Sequence, residues 1–433
     1  MSQEYEKKPR RKRKIIGVVI WLAIMLTTLL VVFEIGFRIF YKAIPLDVCA
    51  SSPIIANYYC QPYMQYDKPI KLAYHYVPNF KSEGMWDPAD PRTANPGNET
   101  RPTGRSDAFL YKFQSDEQGF PNDEVKWRDQ YDMIITGDSF TTRTAPKTWI
   151  ESLGELTGQS ILTLGAPSWG PLNETEAVKQ YGLDKKPKVV MLMYFEGNDL
   201  FNTEQYLERQ ATGMSWKEYD FSTTSLGDQL IMPHMISYWL QKIFPNTDTT
   251  PPHYRYPVTA STEAGPIPMV LKDFQLLPMS ASYDVMAKSD EFAAIKKSLI
   301  EMNQLAKDQG TRFVLTYVPS KEHVYWSRIW DPTDVNNILE RSVTVKLSEG
   351  DHGHFEWDPK YLSYDEFNQN HNAQEKLLTD FARDNNIEFL NLTPTFWEQG
   401  IKRGELYNYA DPHWNQAGND LAAQTIADYL KTH

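Results

Sequence analysis

Four short stretches hold residue types that can perform acyl chemistry together. Gly137-Asp138-Ser139 closes the apolar run Met133 to Ile135, with Thr136 between them. A serine at the end of a buried strand has an exposed hydroxyl. If a helix starts there, its backbone N–H also faces developing negative charge, as a nucleophile requires. The rival reading is a helix cap, since Asp and Ser both favour that position. Gly197-Asn198-Asp199 follows the run "KVVMLMYF". Asn198 is an amide donor that polarises a carbonyl without titrating, and it is equally a turn former beside glycine. "LTLGAPSWGP" places Gly165, Pro167 and Gly170 in a tight turn that can aim N–H groups inward. Asp411-Pro412-His413 supplies a base and the carboxylate that fixes its tautomer.

These stretches need a scaffold that brings them together. From residue 131 the chain alternates strand-like and helix-like segments. "DMIIT", "SILTLG", "KVVMLMYF", "RFVLTYVP" and "IEFLNL" read as strands. "TWIESLGELTG" reads as a helix ending at Gly158. "NETEAVKQYGL" reads as a helix capped by Asn173. "SDEFAAIKKSLIEMNQLAKDQG" carries Phe292, Ile295, Leu299, Met302 and Ala306 on one face, Ser289 as its cap and Gly310 as its stop. "NAQEKLLTDFARDNN" carries the capping-box pair Asn372 and Glu375. "NQAGNDLAAQTIADYL" closes the chain as an amphipathic helix. Such alternation predicts a mostly parallel sheet covered on both faces, with its site at the C-terminal strand ends. All four stretches fall on that edge.

With these blocks the chain resembles the SGNH, or GDSL-type, hydrolase superfamily. The residues carrying the resemblance are Gly137-Asp138-Ser139, the 163–170 turn, Gly197-Asn198-Asp199 and Asp411-Pro412-His413. It covers roughly 131–433, less insertions at about 200–287 and 320–368. It implies a flavodoxin-like three-layer α/β/α fold with a mostly parallel five-stranded sheet. It also implies a catalytic triad of Ser139, His413 and Asp411. The oxyanion hole would comprise the N–H groups of Ser139 and Ser168 and the side chain of Asn198. Gly137, Asp138, Gly165, Gly170, Gly197 and Asp199 would support the motif. In two places the sequence departs from the pattern. The second-block glycine falls on Ser168, and the acid lies two residues before the histidine rather than three. The D-x-H-W form and "VPSKEHVY" are similar to a membrane-associated branch that includes the alginate O-acetyltransferases of bacterial envelopes.

The rest of the chain bounds the setting. Of its 433 residues 56 are acidic and 44 are Lys or Arg, a net charge of -12 that argues against a nucleic-acid partner. Residues 1–14 form a basic tail that ends in "KKPRRKRK", residues 7–14. An uncharged run, Ile15 to Phe33, follows and is long enough to cross a membrane. No A-x-A cleavage pattern comes after it. Residues 15–36 are therefore expected to be a retained signal anchor, with the N-terminus cytoplasmic and the remainder outside the cytoplasm, periplasmic or extracellular. Cys49 and Cys60, the only cysteines, are candidates for a disulfide in that compartment, with two free thiols as the alternative. Residues 43–130 read as an irregular extension. "GDHGHFEWD" gathers Asp351, His352, His354, Glu356 and Asp358, a solvated loop or a cation site, with the loop preferred and no cofactor expected. Glycosylation sequons occur at Asn98, Asn173 and Asn391.

Three functions are compatible with this reading. The first is an extracytoplasmic esterase or deacetylase working through an acyl-enzyme on O-acyl esters, those of a glycan included. The second is a polysaccharide O-acetyltransferase supplied by a membrane acyl-donor partner. The third is a non-catalytic protein that binds a glycan or a partner.

Overall fold

The strand-like apolar runs become Met133–Gly137 (β1), Ile161–Gly165 (β2), Val189–Phe195 (β3), Arg312–Val318 (β4) and Glu388–Asn391 (β5). In the computed structural model they form one five-stranded sheet in the order β2-β1-β3-β4-β5, with every neighbouring pair parallel. The described residues are 10–49, 51–52, 54–60, 64–66, 71–86, 108–122, 126–244, 255–329 and 364–433. This strand order is that of flavodoxin-like folds, with the topological switch point between β1 and β3. Successive side chains alternate between two cores. Ile134, Leu162, Leu164, Val190, Leu192 and Leu315 lie in one. Met133, Ile135, Met191, Met193, Val314 and Val318 lie in the other. A sheet buried on both faces explains why its strands are nearly all apolar.

The helices used below are α1 (Arg10–Ile39), α2 (Trp149–Thr157), α3 (Pro171–Ala177), α4 (Asp199–Thr212), α5 (Ile231–Ile243), α6 (Asp290–Asp308), α7 (Ala373–Asp384), α8 (Thr393–Arg403) and α9 (Gln416–Thr432). α4, α6 and α7 cover the first core, and α2, α8 and α9 the second, which completes three layers. Ser289 caps α6 by accepting from Phe292 N, and Gly310 follows it at φ +68°. Two caps differ from expectation. Asn173 is the third residue of α3, not its cap, because Pro171 already opens the helix. The Asn173 side chain accepts from Gly170 N and donates to Leu72 O. Asn372 precedes α7 without a capping bond, and Glu375 instead accepts from Asn391 Nδ2 on β5. A tertiary partner has displaced the local one.

Two compact units are distinguished by their internal contacts. One comprises residues 63–219 and 249–433 and contains the sheet. Within it, segments preceding β1 form two antiparallel strand pairs, Met64–Tyr66 with Tyr74–Tyr76 and Lys81–Trp86 with Phe109–Gln114. Asn122 exchanges two hydrogen bonds with the backbone of Thr163, which blunts the open edge of β2. The other unit joins residues 1–62 to residues 220–248. There Cys49 and Cys60 form a disulfide, with Cα atoms 5.9 Å apart. The second of these segments lies inside the expected 200–287 insertion. The 351–358 cluster and Asn98 lie outside the described residues.

Candidate active site

The sheet brings Ser139 and His413 together across 274 residues of sequence. His413 Nε2 lies 2.7 Å from Ser139 Oγ, and His413 Nδ1 lies 2.6 Å from Asp411 Oδ1. With its proton on Nδ1, the imidazole donates to Asp411 and accepts from the serine hydroxyl. The backbone N–H of His413 also donates to Asp411 Oδ1, at 2.9 Å. The two-residue spacing therefore lets one carboxylate oxygen hold both ends of the turn. Burial acts to raise the Asp411 pKa. The charge of His413, its hydrogen bonds and the charge of Lys272 outweigh burial and hold the carboxyl well below the usual range.

Local sequence explains this placement. β1 ends in Gly137, where any Cβ would come within 2.7 Å of Thr141 and 2.9 Å of Met193. Ser139 opens a short 3-10 turn, Ser139–Thr141, and not the α-helix expected there. α2 starts only at Trp149. Asp138 caps that turn by accepting from Phe140 N at 2.9 Å. The Phe140 ring lies 5.0 Å from the His413 ring and 4.8 Å from that of Trp414. On the histidine side, Asn408 N donates to His413 O, and Asn415 N donates to Leu406 O. Asn415 then caps α9 by accepting from Gly418 N. A Cβ on Gly418 would sit 2.1 Å from Leu406 O, so the "NQAG" glycine is a packing requirement.

The remaining blocks end the neighbouring strands. Gly165 pairs with Gly137 in register, and a Cβ there would meet Thr141 Oγ1 at 2.1 Å. Ser168 is exposed and left-handed, with φ +59°. Glycine adopts that conformation most readily, so the backbone at Ser168 is strained. Tyr74 OH donates to Pro167 O, and Trp169 Nε1 donates to Tyr74 O, so the turn is braced from the segment before β1. A Cβ on Gly170 would crowd Asp199 O at 3.1 Å, and one on Gly197 would strike the Phe195 ring at 2.5 Å. Asn198 sits just before α4, with its side chain free of the capping role.

Three features escaped sequence reasoning because their partners are distant in the chain. Lys321 is 1 % exposed, and its ammonium donates to the carbonyls of Asn408, Tyr409 and Asp411 at 3.1, 3.0 and 3.1 Å. One cation thus gathers the loop carrying Asp411. The "VPSKEHVY" resemblance was its only trace in the sequence. Glu196 accepts from His323 Nδ1 at 2.8 Å, from Ser320 N at 2.6 Å and from Tyr317 OH. Burial pushes the Glu196 carboxyl up and the His323 imidazole down. Their mutual attraction, with Glu375 also facing His323, outweighs burial and shifts both toward their charged forms. Finally, Asp138, Asp199 and Glu174 are buried carboxyls close enough to repel one another. Burial first, then this repulsion, raises the Glu174 and Asp199 pKa values well above the ordinary range. Asp138 is raised by burial, against hydrogen bonding from Phe140 N, the charge of His413 and the amide of Asn198. Both oxygens of Glu174 lack a hydrogen-bond partner among the described residues.

The sequons Asn173 and Asn391 are engaged in structural hydrogen bonds. Among the described residues no group of three His, Cys, Asp or Glu side chains is arranged to hold a metal ion.

No family model matches the chain, and no curated protein matches it. Solved structures do show likeness. The chain is similar to SGNH- and GDSL-type hydrolases. An acetyl xylan esterase, AlAXEase, is 13% identical with a TM-score of 0.31, over 69% of this chain and 99% of that one. A protein from Slackia heliotrinireducens described as a "putative SGNH hydrolase" is 12% identical with a TM-score of 0.32, over 69% and 97%. A GDSL-like lipase from Bacteroides thetaiotaomicron is 10% identical with a TM-score of 0.30, over 69% and 87%. Likeness this distant carries no inference about the reaction.

Proposed function

We propose that the protein is a serine esterase acting through an acyl-enzyme on small O-acyl esters, acetyl esters of a glycan in particular. The unbroken line from Ser139 Oγ to His413 to Asp411, at 2.7 and 2.6 Å, carries this reading. His413 takes the serine proton as Oγ attacks the ester carbonyl, and Asp411 stabilises the imidazolium that results. The carbonyl oxygen becomes an oxyanion held by the N–H groups of Ser139 and Ser168 and the Asn198 amide. His413 returns its proton to the departing alcohol. Water, activated by the same imidazole, then releases the acid. A cleft of about 620 Å³ is lined by residues of the segments after Ser139 and on either side of Asp411, but by no member of the proposed triad. Thr144, Pro146, Glu405, Asn408 and Gln416 are among its lining residues.

An extracytoplasmic setting is part of the proposal. The helix Ile16–Ile39 is 24 residues long with mean hydropathy 2.7, and no residue of its most apolar window is buried. At 1.5 Å per residue it spans about 36 Å, enough for a bilayer core of about 30 Å. The Cys49–Cys60 disulfide fits an oxidising compartment. The test is hydrolysis of p-nitrophenyl acetate by wild type and by Ser139→Ala, with and without oligosaccharide. Serine-dependent release of acetate is expected. Release only with an acceptor, yielding acetylated sugar, would mark a transferase. No acetyl release in either setting would remove the catalytic reading.

A further inference from the structure

α1 does not stand apart from the folded chain. Leu30, Phe37 and Tyr41 pack on a small core formed by Ile44, Val48, Ile231, Met232 and Met235. Leu230, the residue before α5, offers no capping side chain. Glu34 supplies the cap from α1, accepting from Ile231 N at 3.2 Å and from Met232 N at 2.9 Å. These N–H groups would otherwise be unpaired, and the helix N-terminus favours a negative charge. Arg38 Nε donates to the same carboxylate at 2.9 Å. A carboxylate inside the apolar span is thus neutralised by its neighbours. Removing α1 would leave the start of α5 uncapped, which argues that the helix is retained.

The consequence lies on the other side of α5. Its apolar residues fill half of the helical circumference, and only Ile231, Met232 and Met235 are buried. Ile236, Trp239, Leu240 and Ile243, with Phe244 beyond, remain exposed at 40%, 43%, 51%, 66% and 73%. His234, Ser237 and Gln241 occupy the opposite side. A largely apolar groove of about 390 Å³ runs between the two helices, with Leu30, Val31, Ile35, Leu230, Pro233 and Ile236 on its walls. The exposed face of α5 is therefore continuous with the lipid-facing surface of α1.

We propose that α5 is a second membrane contact. It lies in the outer interface of the bilayer, with Ile236, Leu240, Ile243 and Phe244 among the lipid chains. One acyl chain occupies the groove against α1. Trp239 takes the interfacial position typical of aromatic rings, and Lys242, over the Tyr238 ring, reaches the headgroups. The inference rests on the reading of α1 as a membrane span. A bilayer is favoured over a protein partner because the exposed face joins a surface that is itself apolar and uncovered.

The test uses the full chain in vesicles of zwitterionic and anionic phospholipid. Among the described residues no cysteine is free, so a single added cysteine carries the nitroxide label. Labels at Leu240→Cys and Ile243→Cys are compared with Leu26→Cys on α1 and Gln241→Cys on the polar side. The expected result is a ratio of oxygen to nickel-chelate collisions several-fold higher at 240, 243 and 26 than at 241. If 240 and 243 match 241 while 26 stays oxygen-rich, the inference falls and the anchor stands. Low collision with both reagents at 240 and 243 would mean protein cover, which also overturns it. Loss of the oxygen preference at 26 would overturn the anchor and the inference together.

Discussion

Lys321 shows how a single residue outside the proposed triad can gather the loop that carries one of its members. Its ammonium is buried and satisfied by three backbone carbonyls of the Asp411 loop. Replacing it by methionine keeps similar bulk and leaves those carbonyls short of a donor. Tyr409 O keeps a bond from Val270 N, so two buried carbonyls lose their donor at about 1–3 kcal/mol each, and Lys321→Met should destabilise the fold by about 2–6 kcal/mol. In the surviving native fraction kcat should fall more than KM rises, because Lys321 bonds the backbone that carries the proposed base and its carboxylate partner. Urea unfolding beside steady-state kinetics checks both, and an unchanged midpoint would show that the carbonyls find other donors. At this scale the sequence was informative where chemistry is local. Ser139, Asn198, Asp411 and His413 stand in short patterns with glycine or proline nearby. Lys321, Glu196 and His323 form contacts across dozens of residues, which no spacing rule reveals.

At the scale of elements, the strand ends carry a cost. Glu174 on α3, Asp199 at the start of α4 and Asp138 after β1 bring three buried carboxyls under the site. The folded-state pKa of Glu174 lies well above its ordinary value of about 4.3. Between those two values the native state binds more protons than the unfolded chain. Stability contributed by this group therefore falls as pH rises from about 4 toward neutrality. Glu174→Gln removes the titration. The melting temperature of the variant minus that of wild type should grow steadily over that range. A constant or shrinking difference would contradict the assignment. Element existence was legible from apolar runs, since a doubly covered sheet must be apolar on both faces. Cap details were less so, because Asn173 and Glu375 found tertiary partners. The 3-10 turn at Ser139 replaced the expected helix because Asp138 turns the chain back on Phe140 N.

For the whole molecule, the strand order explains why distant blocks meet. Ser139 follows β1 and Asn198 follows β3, so they flank the switch point where such folds open a crevice. The loop after β5 and α8 then delivers His413 to the same edge. The N-terminal apolar helix was legible in the sequence, whereas its role as an anchor and a setting outside the cytoplasm belong to the proposal. The binding of α5 to α1 was invisible, since a helix cap supplied by Glu34 from 197 residues away has no local signature. The central claim is that Ser139 is the nucleophile of a working triad. Its most direct test is to treat the full chain with a fluorophosphonate, digest it and map the adduct by mass spectrometry. The account predicts one adduct, on Ser139, that is lost when His413 is replaced by alanine. An unmodified Ser139, or an adduct that persists at the same rate without His413, would contradict it.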